Sequence, residues 1–275
     1  MEHIKINNTE IPKIGLGTAT LKGKKCIKTV KKAIKIGYRH IDTAQMYNNE
    51  KEIGKAIKKS NISRDKLFIT TKLNKHNLTR KKAITSLDKS LKKLDLERVD
   101  LLLIHRPSKK TPVQETLNAM HDLKKEGKIL NIGVSNFTKT QLEKAEEKSL
   151  SPIINNQVKY NPYYPQKELI QKAKNQETSI TAYSPLAKGR ITKNETMQKI
   201  GDKHGKTPAQ IALKWITQKN NVAAVPKASK ENHLKQNLNI FDFKLSEEDI
   251  NKINELEGSL KDKAQNFARN FRRKI

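Results

Sequence analysis

Short blocks of β-branched and aliphatic residues alternate along the chain with longer stretches in which apolar positions recur at three- and four-residue spacing. The blocks "KIGLGT", "YRHIDT", "LFITTKL", "VDLLLIH", "ILNIGVS", "PIINNQV", "SITAYS" and "VAAVP" read as eight strands. Stretches such as "KKCIKTVKKAIKIG" and "LTRKKAITSLDKSLKKL" read as amphipathic helices with one solvated face. Strand followed by helix, over and over, predicts a parallel sheet, and eight units predict an α/β fold closed as a (β/α)8 TIM barrel. Ahead of the first unit, "IKI", the turn "NNTE" and "IPKIGLG" predict a short N-terminal β-hairpin.

Helix boundaries carry their own signals. One helix is expected to follow Asn77, a second to open at Thr111 with Pro112 in its first turn and to stop at Gly127, and a third to open at Thr207 and Pro208. Trp215, the single tryptophan, falls on the apolar stripe of the third and is expected to pack. No linker, low-complexity segment or further repeat interrupts the pattern, which predicts one domain over residues 1–275. An open doubly wound sheet is the rival architecture. It would announce a dinucleotide by a glycine-rich turn after its first strand, whereas "GLGTAT" supplies Gly15 and Gly17 without a third glycine at the required spacing.

Composition narrows the function. Apolar residues are 35% of the chain, but their runs are only a few residues long, far short of the roughly 20 that span a bilayer. The start "MEHIKINN" lacks the apolar core of a secretion signal, so a soluble cytoplasmic protein is expected. A lone cysteine, Cys26, excludes an internal disulfide and a cysteine metal cluster, and its helical spacing makes it a core residue. The net charge of +29 raises the question of an acidic partner. Lysines are spread over nearly every helix, with no uninterrupted basic block and no interleaved aromatic residues, which predicts a solvated surface and no specific nucleic-acid site.

In a β/α barrel the chemistry sits at the C-terminal ends of the strands. Asp42 ends "GYRHIDTA", Tyr47 follows in "QMYNNE", Lys72 ends "LFITTK" and His105 ends "VDLLLIH". A lysine beside a phenol favours the phenolate, so Lys72 is expected to lower the pKa of Tyr47 from about 10 and make it a better acid. A buried lysine needs a counter-charge, for which Asp42 is the available carboxylate. His105 would orient a carbonyl or share a proton with Tyr47.

The segments "GYRHIDTA..Y.NE", "TTKL", "LLLIHRP", "IGVSNF", "NQVKYNPY", "AYSPLAKG" and "VPKAS" stand in an order that resembles the aldo-keto reductase family over nearly the whole chain. The short loops between them are similar to those of the prokaryotic 2,5-diketogluconate and methylglyoxal reductases. The resemblance implies reduction of aldehydes or ketones by hydride transfer from NADPH, with NADH as a weaker alternative. It makes Asp42, Tyr47, Lys72 and His105 the catalytic set, Tyr47 being the proton donor. It makes Gly17, Thr18, Asp42, Ser135, Asn136 and Gln157 contacts to the cofactor, with Tyr183 stacking on the nicotinamide and Ser184 and Leu186 on the pyrophosphate loop. Lys227, Ser229 and His233 would face the adenosine 2′-phosphate, and Gln236 and Asn237 the adenine edge. His233 stands where the family often has an arginine, whose fork grips phosphate better.

On the substrate side, Tyr47, His105 and Arg106 are the implied contacts. Arg106 replaces a tryptophan, and Lys159 and Asn161 replace an acidic residue and a histidine, which predicts a more cationic pocket in which Arg106 would receive a substrate carboxylate or phosphate. A small carbonyl compound is the expected partner and a monomer the expected state. The tail "NFARNFRRKI" reads as a basic end, whose place at the pocket the sequence leaves open.

Overall fold

The structure is a computed structural model that describes residues 2–174 and 178–258. The basic tail lies outside the described residues. The hairpin comes first, as β1 (His3–Ile6) and β2 (Thr9–Pro12), paired antiparallel from His3 with Pro12 to Ile6 with Thr9. Its turn is tighter than the four residues expected. Asn7 and Asn8 alone make it, at φ values of 44° and 59°, a left-handed conformation that asparagine tolerates and that matches strand twist. Thr9 is thereby freed for the strand and donates to Asn131 at 3.0 Å.

The eight expected strands follow as β3 (Gly15–Gly17), β4 (His40–Asp42), β5 (Phe68–Leu73), β6 (Val99–Ile104), β7 (Ile129–Ser135), β8 (Ile153–Lys159), β9 (Ser179–Tyr183) and β10 (Val222–Ala224). They form one parallel sheet in sequence order from β3 to β10. The ring closes where Ile14 bridges Ala224 and the Gly17 N–H donates to the Pro226 carbonyl at 3.0 Å. This is the (β/α)8 barrel that the alternation predicts.

Around the sheet run α1 (Gly23–Ile36), α2 (Glu50–Lys58), α3 (Arg80–Leu94), α4 (Val113–Lys125), α5 (Lys139–Glu147), α6 (Lys167–Lys174), α7 (Glu195–His204), α8 (Pro208–Thr217), α9 (Glu231–Leu238) and α10 (Glu247–Asn254). α8 opens as expected, with a reciprocal capping box between Thr207 and Gln210. α3 does not start at Asn77, because that side chain donates to Gln45 and Thr79 takes the boundary position. α4 starts at Val113 rather than Thr111, since Pro112 is extended (ψ 133°) and stands before the first turn. Among the described residues no helix is long and apolar enough to cross a membrane.

Strand side chains alternate between two cores. Outward residues such as Ile41, Ile69 and Leu102 pack under the helices, where Cys26 is fully buried and its thiol is pushed up to about 12 by burial. Trp215 also packs, its ring 5.1 Å from that of Tyr160. Inward residues Phe68, Leu101 and Leu103 meet Ile4, Ile6 and Ile11 of the hairpin, which stoppers the N-terminal end of the barrel. Above this stopper sits His40, whose ring fits only because its β3 neighbour is Gly15. A Cβ there would lie 2.7 Å from the imidazole.

Candidate active site

At the C-terminal mouth, adjacent strands β4 and β5 bring Asp42 and Lys72 face to face, both within 2% of full burial. The ammonium donates to both carboxylate oxygens, at 2.7 and 2.8 Å, and to the Thr43 carbonyl at 2.7 Å. Its three N–H bonds are therefore committed, and it acts on its surroundings as a fixed positive charge. Tyr47 lies in a short 3-10 turn, Gln45–Tyr47, that follows β4. Its ring is 5.2 Å from the Lys72 ammonium and 5.8 Å, edge to face, from the ring of His105. The four residues that the strand ends suggested do converge.

Their electrostatics correct one expectation. Burial pushes the Tyr47 phenol above its ordinary range, and the positive charge of Lys72 offsets only part of that rise. Lys72 pulls the phenol down, while Asp42 adds its push to that of burial. His105 is held down to about 4 by burial first and then by Lys72, so its imidazole is neutral at pH 7. Its Nδ1 is buried without a partner. A bare lone pair costs less there than a bare N–H, which favours the proton on Nε2.

The residues assigned by resemblance to the nicotinamide form a circuit with this group. Gln157 donates to Asp42 at 2.6 Å, and Ser135 donates to the Gln157 carbonyl at 2.8 Å. Asn136, held at a left-handed φ of 65°, donates to Ser135 and to the His105 carbonyl, each at 3.0 Å. The Tyr183 hydroxyl donates to Asn136 at 2.8 Å, leaving its ring half-buried at the end of β9. Ser184 has a left-handed φ of 51°, with its carbonyl held by the Asn161 amide at 3.0 Å, and Leu186 is half-buried beside it.

A second cluster lies past β10. Gly17 reaches it through Pro226, while Thr18 turns back to bind the Asp42 carbonyl with its hydroxyl at 2.8 Å. Lys227 and His233 are exposed and Ser229 is half-buried around the start of α9, a helix with no side-chain cap. Gln236 is half-buried, and Asn237 is enclosed beside the Tyr38 hydroxyl. On the rim Arg106 is exposed and has no carboxylate within ion-pair distance among the described residues.

Sequence reasoning missed Asn49. As the residue before α2 it looks like a cap, yet its amide makes no capping bond. It donates instead to the carbonyls of Thr18 and Leu21, at 2.9 and 3.1 Å, and accepts from Thr43 at 2.7 Å. It thus ties the loop after β3 to the loop that carries Tyr47. Lys22 adds a bond to the Tyr47 carbonyl. Only the run of asparagines behind Tyr47 hinted at a fixed turn.

A closed β/α barrel with a buried lysine–carboxylate pair, a phenol and an imidazole at its mouth defines a barrel enzyme. The aldo/keto reductase family profile matches residues 13–257, and the chain belongs to that family. It is 41% identical over 252 residues to the glyoxal reductase of Bacillus subtilis, covering 91% of this chain and 90% of the relative. It is 41% identical over 242 residues to the methylglyoxal reductase DkgB of Escherichia coli O157:H7, covering 87% and 90% respectively. The crystal structure of the thermostable aldo-keto reductase Tm1743 superimposes with a TM-score of 0.88 at 39% identity, covering 93% of this chain and all of that one. Such membership supports an oxidoreductase that reduces carbonyl groups.

Proposed function

We propose that this chain, as a single monomeric barrel in the cytoplasm, reduces small aldehydes and ketones with NADPH, and that Tyr47 protonates the carbonyl oxygen. The observation that carries the reading is the Lys72–Asp42 pair beneath Tyr47, with a neutral His105 on its other side. Substrates such as methylglyoxal and glyoxal are suggested by the names of the relatives.

The residues present fit the cofactor. Asn136 and Gln157 offer the donors and acceptors that a carboxamide needs, and the half-buried Tyr183 ring offers a face to stack on. Lys227, Ser229 and the uncapped amides of α9 suit a phosphate. With His233 in place of an arginine, NADPH is preferred over NADH by a modest margin. When bound, the nicotinamide supplies a hydride to the carbonyl carbon.

The protein's own groups do the rest. His105, its proton on Nε2, donates to the carbonyl oxygen and fixes its direction; being neutral, it is not the imidazolium that would compete with Tyr47 as proton donor. As negative charge grows on that oxygen, the Tyr47 hydroxyl transfers its proton, and the nearby Lys72 ammonium stabilises the phenolate left behind. A high resting phenol pKa suits this order, since Tyr47 must be protonated when the substrate arrives. Asp42 holds the Lys72 ammonium in place through both carboxylate oxygens, and exposed Arg106, next to His105, would receive a substrate carboxylate or phosphate. Oxidation of NADPH in the presence of methylglyoxal tests the activity. Tyr47→Phe tests the role, with kcat expected to fall at least about a hundredfold while cofactor affinity holds. Turnover close to wild type in that variant rejects Tyr47 as the acid.

A further inference from the structure

The lysines that are spread along the sequence are gathered by the fold. Between the C-terminal half of α1, the turn after α2 and one face of α9 lies a cleft of about 1060 Å³. Eight cationic side chains line it, against the single carboxylate of Glu231. Lys32 and Lys235 both bind that carboxylate at 3.0 Å, and Arg39 is turned to the carbonyls of Ile34 and Tyr38. The remaining five, Lys28, Lys31, Lys35, Lys59 and Lys66, are exposed and have no carboxylate within ion-pair distance among the described residues.

Elsewhere some basic groups are paired, while others, such as Lys89, Lys92 and Lys93 on α3, are exposed without a carboxylate at ion-pair distance among the described residues. Lys128 bridges Asp88 and Glu126 at 2.9 Å each, Arg98 meets Asp65 at 2.8 Å and Lys58 meets Asp95 at 3.0 Å. Crowded unpaired ammonium groups repel one another and hold counterions, and a polyanion that displaces those ions binds with a gain in entropy. Shape and lining then choose among polyanions. The surface is concave, which a flat bilayer does not fill, and no aromatic side chain lines it, so bases find nothing to stack on. What the cleft offers is eight cationic side chains gathered around one concavity, a match for repeated phosphate charge. None of the lining residues belongs to the site at the barrel mouth.

We propose that this cleft is a binding site for linear polyphosphate, a flexible chain of phosphate groups, separate from the reductive site. The test is the affinity of the full chain for short-chain inorganic polyphosphate, measured by anisotropy of an end-labelled probe. Two triple variants with the same change in net charge are compared, Lys28→Glu/Lys31→Glu/Lys59→Glu in the cleft and Lys89→Glu/Lys92→Glu/Lys93→Glu on α3. The cleft variant is expected to bind at least about tenfold more weakly, and the α3 variant to lose less than about threefold. Equal losses would mean that net charge alone attracts the probe, and would overturn the site. So would duplex DNA that competes as well as polyphosphate at equal phosphate concentration. Should the reversed charges prevent folding, Lys28→Gln/Lys31→Gln/Lys59→Gln removes charge without adding repulsion, and unchanged affinity in that variant overturns the proposal equally.

Discussion

The two ends of the barrel are closed by opposite means. At the N-terminal end the hairpin residues Ile4, Ile6 and Ile11 meet Phe68, Leu101 and Leu103 in a dry apolar stopper. At the C-terminal end the interior is filled by Asp42, Lys72, Ser135, Asn136 and Gln157, whose bonds link them to one another and to Thr43, His105 and Tyr183. The same strands supply both ends, so the difference lies in which inward position is reached: Phe68 then Thr70 then Lys72 on β5, His40 then Asp42 on β4. Apolar closure tolerates exchange of like for like, whereas the polar circuit loses its balance when any one member is removed.

The largest effect is expected where that balance is charged. Lys72→Met leaves Asp42 buried without its counter-ion, which should cost about 3–5 kcal/mol of stability and at least about a hundredfold in kcat. The double variant Asp42→Leu/Lys72→Met separates the two losses. Denaturant unfolding should show stability largely restored, while the reductase assay stays low, because an apolar pair fills the space without stabilising a phenolate. Recovered activity in the double variant would remove the ion pair from the mechanism.

The opposite end should behave in the opposite way. Ile11 is fully buried, and Ile11→Ala is expected to cost about 2–5 kcal/mol in unfolding measurements. Its kcat per folded molecule should stay within about twofold of wild type, since the hydrogen bonds of the mouth do not pass through the hairpin. A collapse of kcat would show that the ends are coupled through the layer between them.

How far the sequence disclosed this comparison depends on the range of the interactions. All eight strands were legible because a sheet buried on both faces writes itself as near-continuous apolar runs, and "VDLLLIH" carries His105 at its end in plain view. Helix starts were less so. Asn77 and Thr79 are equally good boundary residues, and only the distant Gln45 side chain decides between them. The direction of the Tyr47 shift was misread for a related reason. Proximity to Lys72 follows from strand order, but the weight of burial and the added push of Asp42 belong to the assembled mouth. The basic cleft was invisible because its lysines come from three separated segments.

His40 lies between the two ends, 5.1 Å from the ring of Phe68 and bonded to Thr70 at 3.0 Å. Burial holds its imidazole down to about 4 from an ordinary value of 6.5. Over that interval the unfolded chain binds the proton that the folded chain refuses. Stability from this group is therefore complete above about pH 6.5 and is lost as the pH falls toward 4, up to about 3 kcal/mol. His105 adds a loss of the same sign. Unfolding midpoints should fall accordingly as the pH is lowered across this range, and His40→Leu should flatten that dependence without abolishing it. An unchanged slope would assign the acid sensitivity to His105.

The smallest effect sharpens the contrast most, because it concerns position alone. Asn49 touches neither Lys72 nor the phenol of Tyr47, yet its amide fastens the loop after β3 to the turn that carries the phenol. Asn49→Ala is expected to lower kcat about tenfold, equivalent to about 1.4 kcal/mol, with the substrate KM little changed. Asn49→Asp keeps the shape and can still accept from Thr43, but it lacks the N–H groups that bind the Thr18 and Leu21 carbonyls. It should therefore resemble the alanine variant in kcat. A fully active Asn49→Asp enzyme would mean that the Lys22 contact to the Tyr47 carbonyl positions the acid unaided, and that the polar end has one dispensable member.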